Sequence, residues 1–280
     1  MDRTYVIGVV LVAISAVVWS SAGIFTRGVS ADAWSVIFWC GIAATGFTLA
    51  YLALRGALVS EVRSFNGPML LVIVLGASGT AAFIPAFKLS SVANVALIWA
   101  TAPFMTAGLS WLFLREAPSR RVVIASFATL FGVRIVAKGS LQSGLWIGDL
   151  LAFWMTLMMS ASFVVYRRWP ETPAALPLAL SAAVLVPIAW MFTDVMAVVT
   201  HERWIITAFG AVFATASMLM MEGARRIPSA EVALISALET PVAVLLGFVI
   251  LAEAPPAVTI LGGAIIMGAV IWSQWRGLQR

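Results

Sequence analysis

The chain has 280 residues, of which 62% are apolar and 10% charged, with a mean hydropathy of +1.04 and a formal net charge of +5. That balance excludes a soluble globular domain and describes a chain whose solvent is lipid. A pI near 10.1 would suggest nucleic acid in a soluble protein, but no basic patch interleaved with aromatic residues occurs, so no nucleic-acid partner is expected.

Long apolar runs predict membrane-spanning helices, each needing about 20 apolar residues. In chain order ten candidates cover roughly 5–26, 32–54, 68–88, 92–114, 119–137, 145–166, 174–193, 204–223, 229–251 and 256–275. The runs are continuously apolar and not dyadic, which excludes barrel strands. The first run is too long, and lacks a cleavage site, for a removed signal peptide, so it reads as a retained anchor. Cys40, the only cysteine, lies inside the second run. Neither an intrachain disulfide nor a cysteine metal cluster is available, and no metal or cofactor is expected. The only histidine, His201, falls in a polar loop beside Glu202 and Arg203.

With ten spans and the N-terminus inside, the outer side receives Arg27, Lys88, Arg134, Lys138 and Arg203, and the other twelve of the 17 basic residues fall inside. This positive-inside bias predicts cytoplasmic termini.

The segment Ala93-Asn-Val-Ala-Leu-Ile-Trp-Ala…Leu114-Arg-Glu-Ala-Pro118 returns 137 residues later as Ala230-Glu-Val-Ala-Leu-Ile-Ser-Ala…Leu251-Ala-Glu-Ala-Pro255. Ile7-Gly8 likewise matches Ile147-Gly148, Leu11 matches Leu151, and Ser20 matches Ser160. Such self-similarity means two copies of one unit, 1–140 and 141–280. Five spans per copy is an odd number, so the second copy enters the membrane from the opposite face. The predicted fold is an all-α integral membrane protein of ten helices in two inverted five-helix repeats, forming one compact membrane domain. Such an architecture favours a site at the midplane and alternating access.

Several residues are candidates for that site. Pro103 and Pro241 lie near mid-span at almost matching places, the second displaced by one residue, and Pro85 and Pro187 also interrupt apolar runs. Pro228 stands at the mouth of the ninth. Interior prolines free backbone carbonyls that need a partner or a watery cavity, or they simply shape the bundle. Glu239 lies mid-span, where a carboxylate is costly and usually faces the bundle interior. It could recognise an amine, couple protons, or stabilise the proline kink as a hydrogen-bonded core residue. Glu231 reads as an interfacial charge, and Asp149 as a charge favourable to the N-terminus of span six. Lys88, Arg225, Arg226 and Arg134 lie where long basic chains snorkel. Trp19, Trp99 and Trp154 are deeper than the interfacial tryptophans. With Ser20, Ser21, Asn94, Thr101, Ser160 and Ser236 they supply the apolar, sparsely polar lining of a small-molecule cavity. Ala128-x-x-x-Gly132 and Ala264-x-x-x-Gly268 would let helices approach within a monomer or across a homodimer.

The pattern resembles the drug/metabolite transporter superfamily, in its ten-span branch of two EamA-type repeats. The resemblance rests on Trp19-Ser-Ser21, Lys88, Ala93-Asn-Val-Ala-Leu-Ile98, Pro103 and Leu112-Phe-Leu-Arg-Glu116. In the second half it rests on Gly148-Asp-Leu-Leu-Ala152, Ala230-Glu-Val-Ala-Leu234, Pro241 and Glu253. Met159 departs from it, standing where many members have a tryptophan. The family look is similar to bacterial exporters of amino acids and related metabolites. It implies a multi-pass protein of the bacterial inner membrane with a small-molecule substrate and the lipid bilayer as its partners. Quaternary amines, nucleosides or drugs are the alternative cargo, carried facilitatively or with protons. No phosphate-binding loop for ATP exists. A polytopic enzyme would need clustered acid, base or nucleophile groups, and the acids here are scattered. Few polar residues per span argue against an ion pore.

Overall fold

The computed structural model describes residues 3–21, 29–90, 92–136, 146–242, 245–246 and 257–275. Arg27, Lys138, Arg276, Arg280 and the Glu253-Ala-Pro255 end of the second repeat segment lie outside them.

Among the described residues all regular structure is helical. In chain order the helices are α1 (Arg3–Ser20), α2 (Ala33–Leu54), α3 (Leu58–Arg63), α4 (Gly67–Leu89), α5 (Val92–Trp99), α6 (Ala102–Leu114), α7 (Arg120–Val136), α8 (Trp146–Arg168), α9 (Ala175–Phe192), α10 (Thr200–Ala224), α11 (Ser229–Ser236) and α12 (Ala257–Gln274). Seven stretches are long and apolar enough to cross a membrane: α1, α2, α4, residues 94–114 of α5 and α6, α8, α9 and α10. The remaining runs of the sequence reading are represented by α7, α11 and α12.

Side chains at the helix starts satisfy backbone donors that would otherwise be left unpaired. Asp32 accepts from the Trp34 and Ser35 amides at 2.9 and 3.2 Å to cap α2, and Asn66 accepts from Met69 at 3.0 Å to cap α4. Pro68 sits in the first turn of α4, where its missing N–H costs nothing.

The packing repeats across the two halves. Helix α4 lies on α8 as α10 lies on α1, and α4 lies on α9 as α10 lies on α2. The contacts α2–α9, α7–α12 and α6–α11 pair corresponding helices directly. Glycines permit the closest of these approaches. A β-carbon on Gly148 would stand 2.5 Å from the Leu89 carbonyl carbon, and one on Gly8 would stand 2.6 Å from Ile227 Cγ2. Gly8 and Gly148 are the matched pair of the sequence repeat, and each abuts the end of the third long helix of the other half. In α7, Gly132 presses on Gly262 and Ile266 of α12, so this small-residue pair serves packing within the chain. Gly268, by contrast, faces open space.

One large core cluster runs through the bundle and includes Trp19, Phe38, Phe163, Phe209 and Phe213. The exposed residues are also largely apolar, among them Trp111, Phe127, Phe131, Leu150 and Trp190, as expected of a surface that meets hydrocarbon.

Candidate functional site

Two helices of the bundle are interrupted. The chain turns at Ala100–Thr101 between α5 and α6, and again at Ala237–Leu238, between α11 and the short helical turn 239–242. These breaks are 137 residues apart, the spacing of the repeat. The cause of the first is Pro103. Inside a continuous helix its ring would clash with the Trp99 carbonyl and leave it unpaired. Ending α5 at Trp99 and restarting at Ala102 moves Pro103 into a first turn, where it fits. The prolines are offset by one residue between the halves, whereas the breaks themselves coincide.

Tight local bonds close both turns. Thr101 donates its amide and its hydroxyl to the Ile98 carbonyl at 3.0 and 2.6 Å, and Ser160 Oγ on α8 lies 3.5 Å from the Ala102 carbonyl. In the second break the Leu238 amide bonds the Ile235 carbonyl at 3.0 Å, and Ser236 Oγ donates to the Ala233 carbonyl at 2.8 Å. Ala100 and Ala237 pack in one cluster with Val133 of α7 and Ile266 of α12, so the two interruptions share a location in the bundle. Gly263 of α12 lies against Pro241. Pro85 and Pro187 remain inside the continuous helices α4 and α9, and Pro228 takes the N-cap position of α11.

Glu239 follows the second break directly. It is half-buried, and among the described residues no hydrogen bond or ion pair reaches its carboxylate. Trp19, 7% exposed, meets Phe213 edge-on at 5.0 Å and Phe83 at 5.8 Å, joining α1, α4 and α10. Trp99 packs at the margin of the same core. Ser20 and Ser21 each donate to a carbonyl of their own helix at 2.6 Å, leaving their oxygens as acceptors.

Two of the sequence candidates lie apart from this group. Trp154 is 46% exposed, on the face that α8 turns outward with Ile147, Leu150 and Phe153, and its indole N–H donates to Ser78 Oγ at 2.8 Å. Its placement is thus at the bundle surface. Asn94 belongs to a polar cluster at one end. The carboxylate of Asp149 on α8 accepts from Ser90 Oγ at 2.5 Å and from Asn94 Nδ2 at 3.1 Å, fastening the end of α4 and the start of α5 to α8.

The counterpart of Asn94 in the repeat is Glu231, and it too anchors a cluster. Tyr5 Oη donates to Glu231 at 2.7 Å, fastening the start of α1 to α11. Sequence reading treated Glu231 as an ordinary interfacial charge and did not single out Tyr5 or Ser90. The available signal was the repeat itself, which puts a polar residue at the second position after Val92 and, correspondingly, after Ser229. Glu231 and Asp149 each tie one half of the chain to the other.

Beside Phe213 lies a cavity of about 20 Å³, lined in part by Cys40, Gly41, Thr80 and Ala182. That is room for roughly one water molecule, not for a metabolite. Among the described residues no three His, Cys, Asp or Glu side chains gather as metal ligands.

Apolar helices break here at equivalent points of the two halves, one break lying beside the Glu239 carboxylate, an arrangement of a kind that multi-pass membrane carriers use. The model of the EamA-like transporter family matches residues 6–138 and again residues 146–274. The chain belongs to that family, within the drug/metabolite transporter superfamily, and carries two of its repeats. A solved crystal structure is similar over 96% of this chain and 97% of its own, with a TM-score of 0.83 at 18% identity, a likeness of fold. No curated protein matches.

Proposed function

We propose that this protein is a secondary transporter that exports small amphiphilic metabolites, amino acids first among them, by alternating access around a midplane site. The observation that carries the reading is the pair of coincident helix breaks with Glu239 beside one of them. Unwound backbone and half-helix ends at mid-membrane are suited to gripping polar groups of a substrate within an apolar bundle. Trp19, Trp99, Phe83 and Phe213 offer ring faces to an apolar or ammonium-bearing body. Ser20, Ser21, Thr101, Ser160 and Ser236 supply sparse polar contacts. Pro85, Pro103, Pro228 and Pro241 shape the path.

The same proposal includes ten crossings in two inverted repeats, 1–140 and 141–280, with both termini cytoplasmic. Its support is that the polar contacts between segments join ends this topology assigns to one side. Tyr5–Glu231, Arg167–Glu116 and Glu61–Leu176 meet inside, whereas Ser90–Asp149, Ser30–Glu202 and Asp32–Thr193 meet outside. Alternating access then requires the Tyr5–Glu231 and Ser90–Asp149–Asn94 clusters to part in turn. Glu239 is the group positioned for proton coupling or for an amine.

Counterflow in proteoliposomes tests the reading, with labelled neutral amino acids and unlabelled amino acids, quaternary amines, nucleosides and phosphosugars as competitors. Accelerated uptake that amino acids compete away is the expected result. No counterflow with any competitor would overturn the carrier reading, and competition by another class alone would reassign the substrate. Glu239→Gln is expected to alter the rate or its pH response. Unchanged transport at every pH would remove Glu239 from the mechanism.

A further inference from the structure

The end of α6 and the end of α8 enclose a groove of about 320 Å³ lined by Phe113, Leu114, Arg115, Glu116, Arg167 and Arg168. Three arginines and one carboxylate line it. Arg167 is committed to Glu116, with Nη2 at 3.3 Å and Nε at 3.4 Å from its oxygens. Among the described residues Arg115 and Arg168 have no carboxylate within ion-pair distance, and Arg168 instead lies over the Trp169 ring at 5.6 Å. Among the described residues the groove therefore holds two positive charges without a protein counter-ion.

The backbone at Arg115 is unusual. With φ of 56°, it is the only non-glycine residue with positive φ among the described residues. It occupies the left-handed position that ends α6, where its amide donates to the Trp111 carbonyl and the Glu116 amide donates to that of Ser110. Glycine is the residue best suited to that position, because a β-carbon is disfavoured there. An arginine in this place lines the same groove as Arg168, at a conformational cost that glycine would avoid.

Immediately before the groove, Trp111, Leu112 and Phe113 of α6 are 65%, 64% and 67% exposed. In a multi-pass membrane protein these rings and this leucine meet acyl chains, and the groove lies where the chain leaves the hydrocarbon. An apolar strip leading to a pair of uncompensated guanidiniums matches one kind of molecule, an amphiphile with a negative head. Free phosphate would satisfy the charges and leave the strip unexplained. A zwitterionic lipid would satisfy the strip and gain less from the charges.

We infer that this groove is a binding site for an anionic phospholipid, with its phosphate between Arg115 and Arg168 and its acyl chains along Trp111–Phe113. Because the site joins α6 to α8, which belong to opposite halves of the chain, a bound lipid would brace their contact at this end. The inference rests on the membrane location and not on which metabolite is carried.

The test uses the whole protein, purified and delipidated in a neutral detergent. Its apparent melting temperature and its bound lipids by native mass spectrometry are followed against phosphatidylglycerol, phosphatidylcholine and inorganic phosphate. Phosphatidylglycerol should raise the melting temperature and appear as a bound adduct, and phosphatidylcholine should do neither to the same degree. Arg115→Gly combined with Arg168→Gln should weaken apparent phosphatidylglycerol affinity roughly tenfold or more. The glycine suits the left-handed backbone, so this variant should fold at least as well as the parent in detergent alone, which separates lost binding from lost folding. Arg55→Gln with Arg63→Gln, a control pair that does not line the groove, should leave the lipid response intact. Equal responses to the two lipids, or an unchanged response in the groove variant, would overturn the proposal. A shift reproduced by inorganic phosphate alone would replace it with a small-anion site.

Discussion

Replacing Gly148 by alanine tests whether the matched glycines set the spacing between the two halves. The added carbon would lie 2.5 Å from the Leu89 carbonyl carbon and 2.6 Å from both its oxygen and Ser90 Cβ. Ordinary contact begins at 3.4 Å, so α8 and the end of α4 must separate by most of an ångström. Two of the three obstructing atoms are backbone, and rotation of a side chain cannot relieve the overlap. Overpacking of this kind costs about 1–3 kcal/mol. Gly268→Ala is the control, because nothing lies within 4 Å of its new carbon. That change should gain about 1 kcal/mol of helix propensity. Gly148 is also helical and shares that gain, so the variants should differ by about 1–3 kcal/mol, or melting midpoints roughly 2–8 °C apart, with Gly148→Ala the lower. The assay is thermal unfolding in detergent, followed by loss of the monodisperse peak. Coincident midpoints would refute the close approach of α4 and α8. Ser90 also donates to Asp149, so Gly148→Ala should slow transport beyond its effect on the folded amount.

Three further outcomes are expected. Tyr5→Phe deletes the 2.7 Å bond to Glu231 and should loosen the end where α1 meets α11. In a Cys40→Ala background, a cysteine at Ser229, which is 1% exposed and bonded to Ser110, should then react faster with a water-soluble maleimide, and an unchanged rate would count against a latch. Asp32→Ala removes the cap of α2 and the bond from Thr193 at 2.9 Å, for a loss of about 1 kcal/mol in thermal stability. Burial pushes the Asp32 carboxyl up, but the bonds from Ser35, Thr193 and the Trp34 amide outweigh it and hold the group below the usual carboxylate range. Its folded value being depressed, its contribution is present above the unfolded carboxylate value and is lost as pH falls through the folded one. The gap between parent and Asp32→Ala should therefore close on acidification, and a gap independent of pH would contradict the capping role. Gly132→Leu should destabilise the α7–α12 contact, since a β-carbon there already stands 2.8 Å from the Gly262 carbonyl oxygen. A melting midpoint equal to the parent would show that these helices do not touch as described.

The membrane class, the duplication and the family were legible in the linear sequence, because each depends on features local to the chain. Apolar runs long enough for hydrocarbon need no tertiary contact to declare themselves. Ala-x-Val-Ala-Leu-Ile recurs just before each of the two breaks, which coincide at the repeat spacing although Pro103 and Pro241 are out of register by one residue. The direction in which each side chain points was a different matter. A helix apolar on every side has no polar face to mark its exterior, and lipid is as apolar as the protein core. Trp154 and Trp19 both lie within their apolar runs, yet packing turns the first outward to Ser78 and the second inward to Phe213. Gly132 and Gly268 sit in the same small-residue pattern, yet only Gly132 meets another helix. Tyr5 with Glu231, and Ser90 and Asn94 with Asp149, are partners separated by more than fifty residues. Such pairings are set by the rotation and stacking of whole helices, which the tertiary structure alone decides.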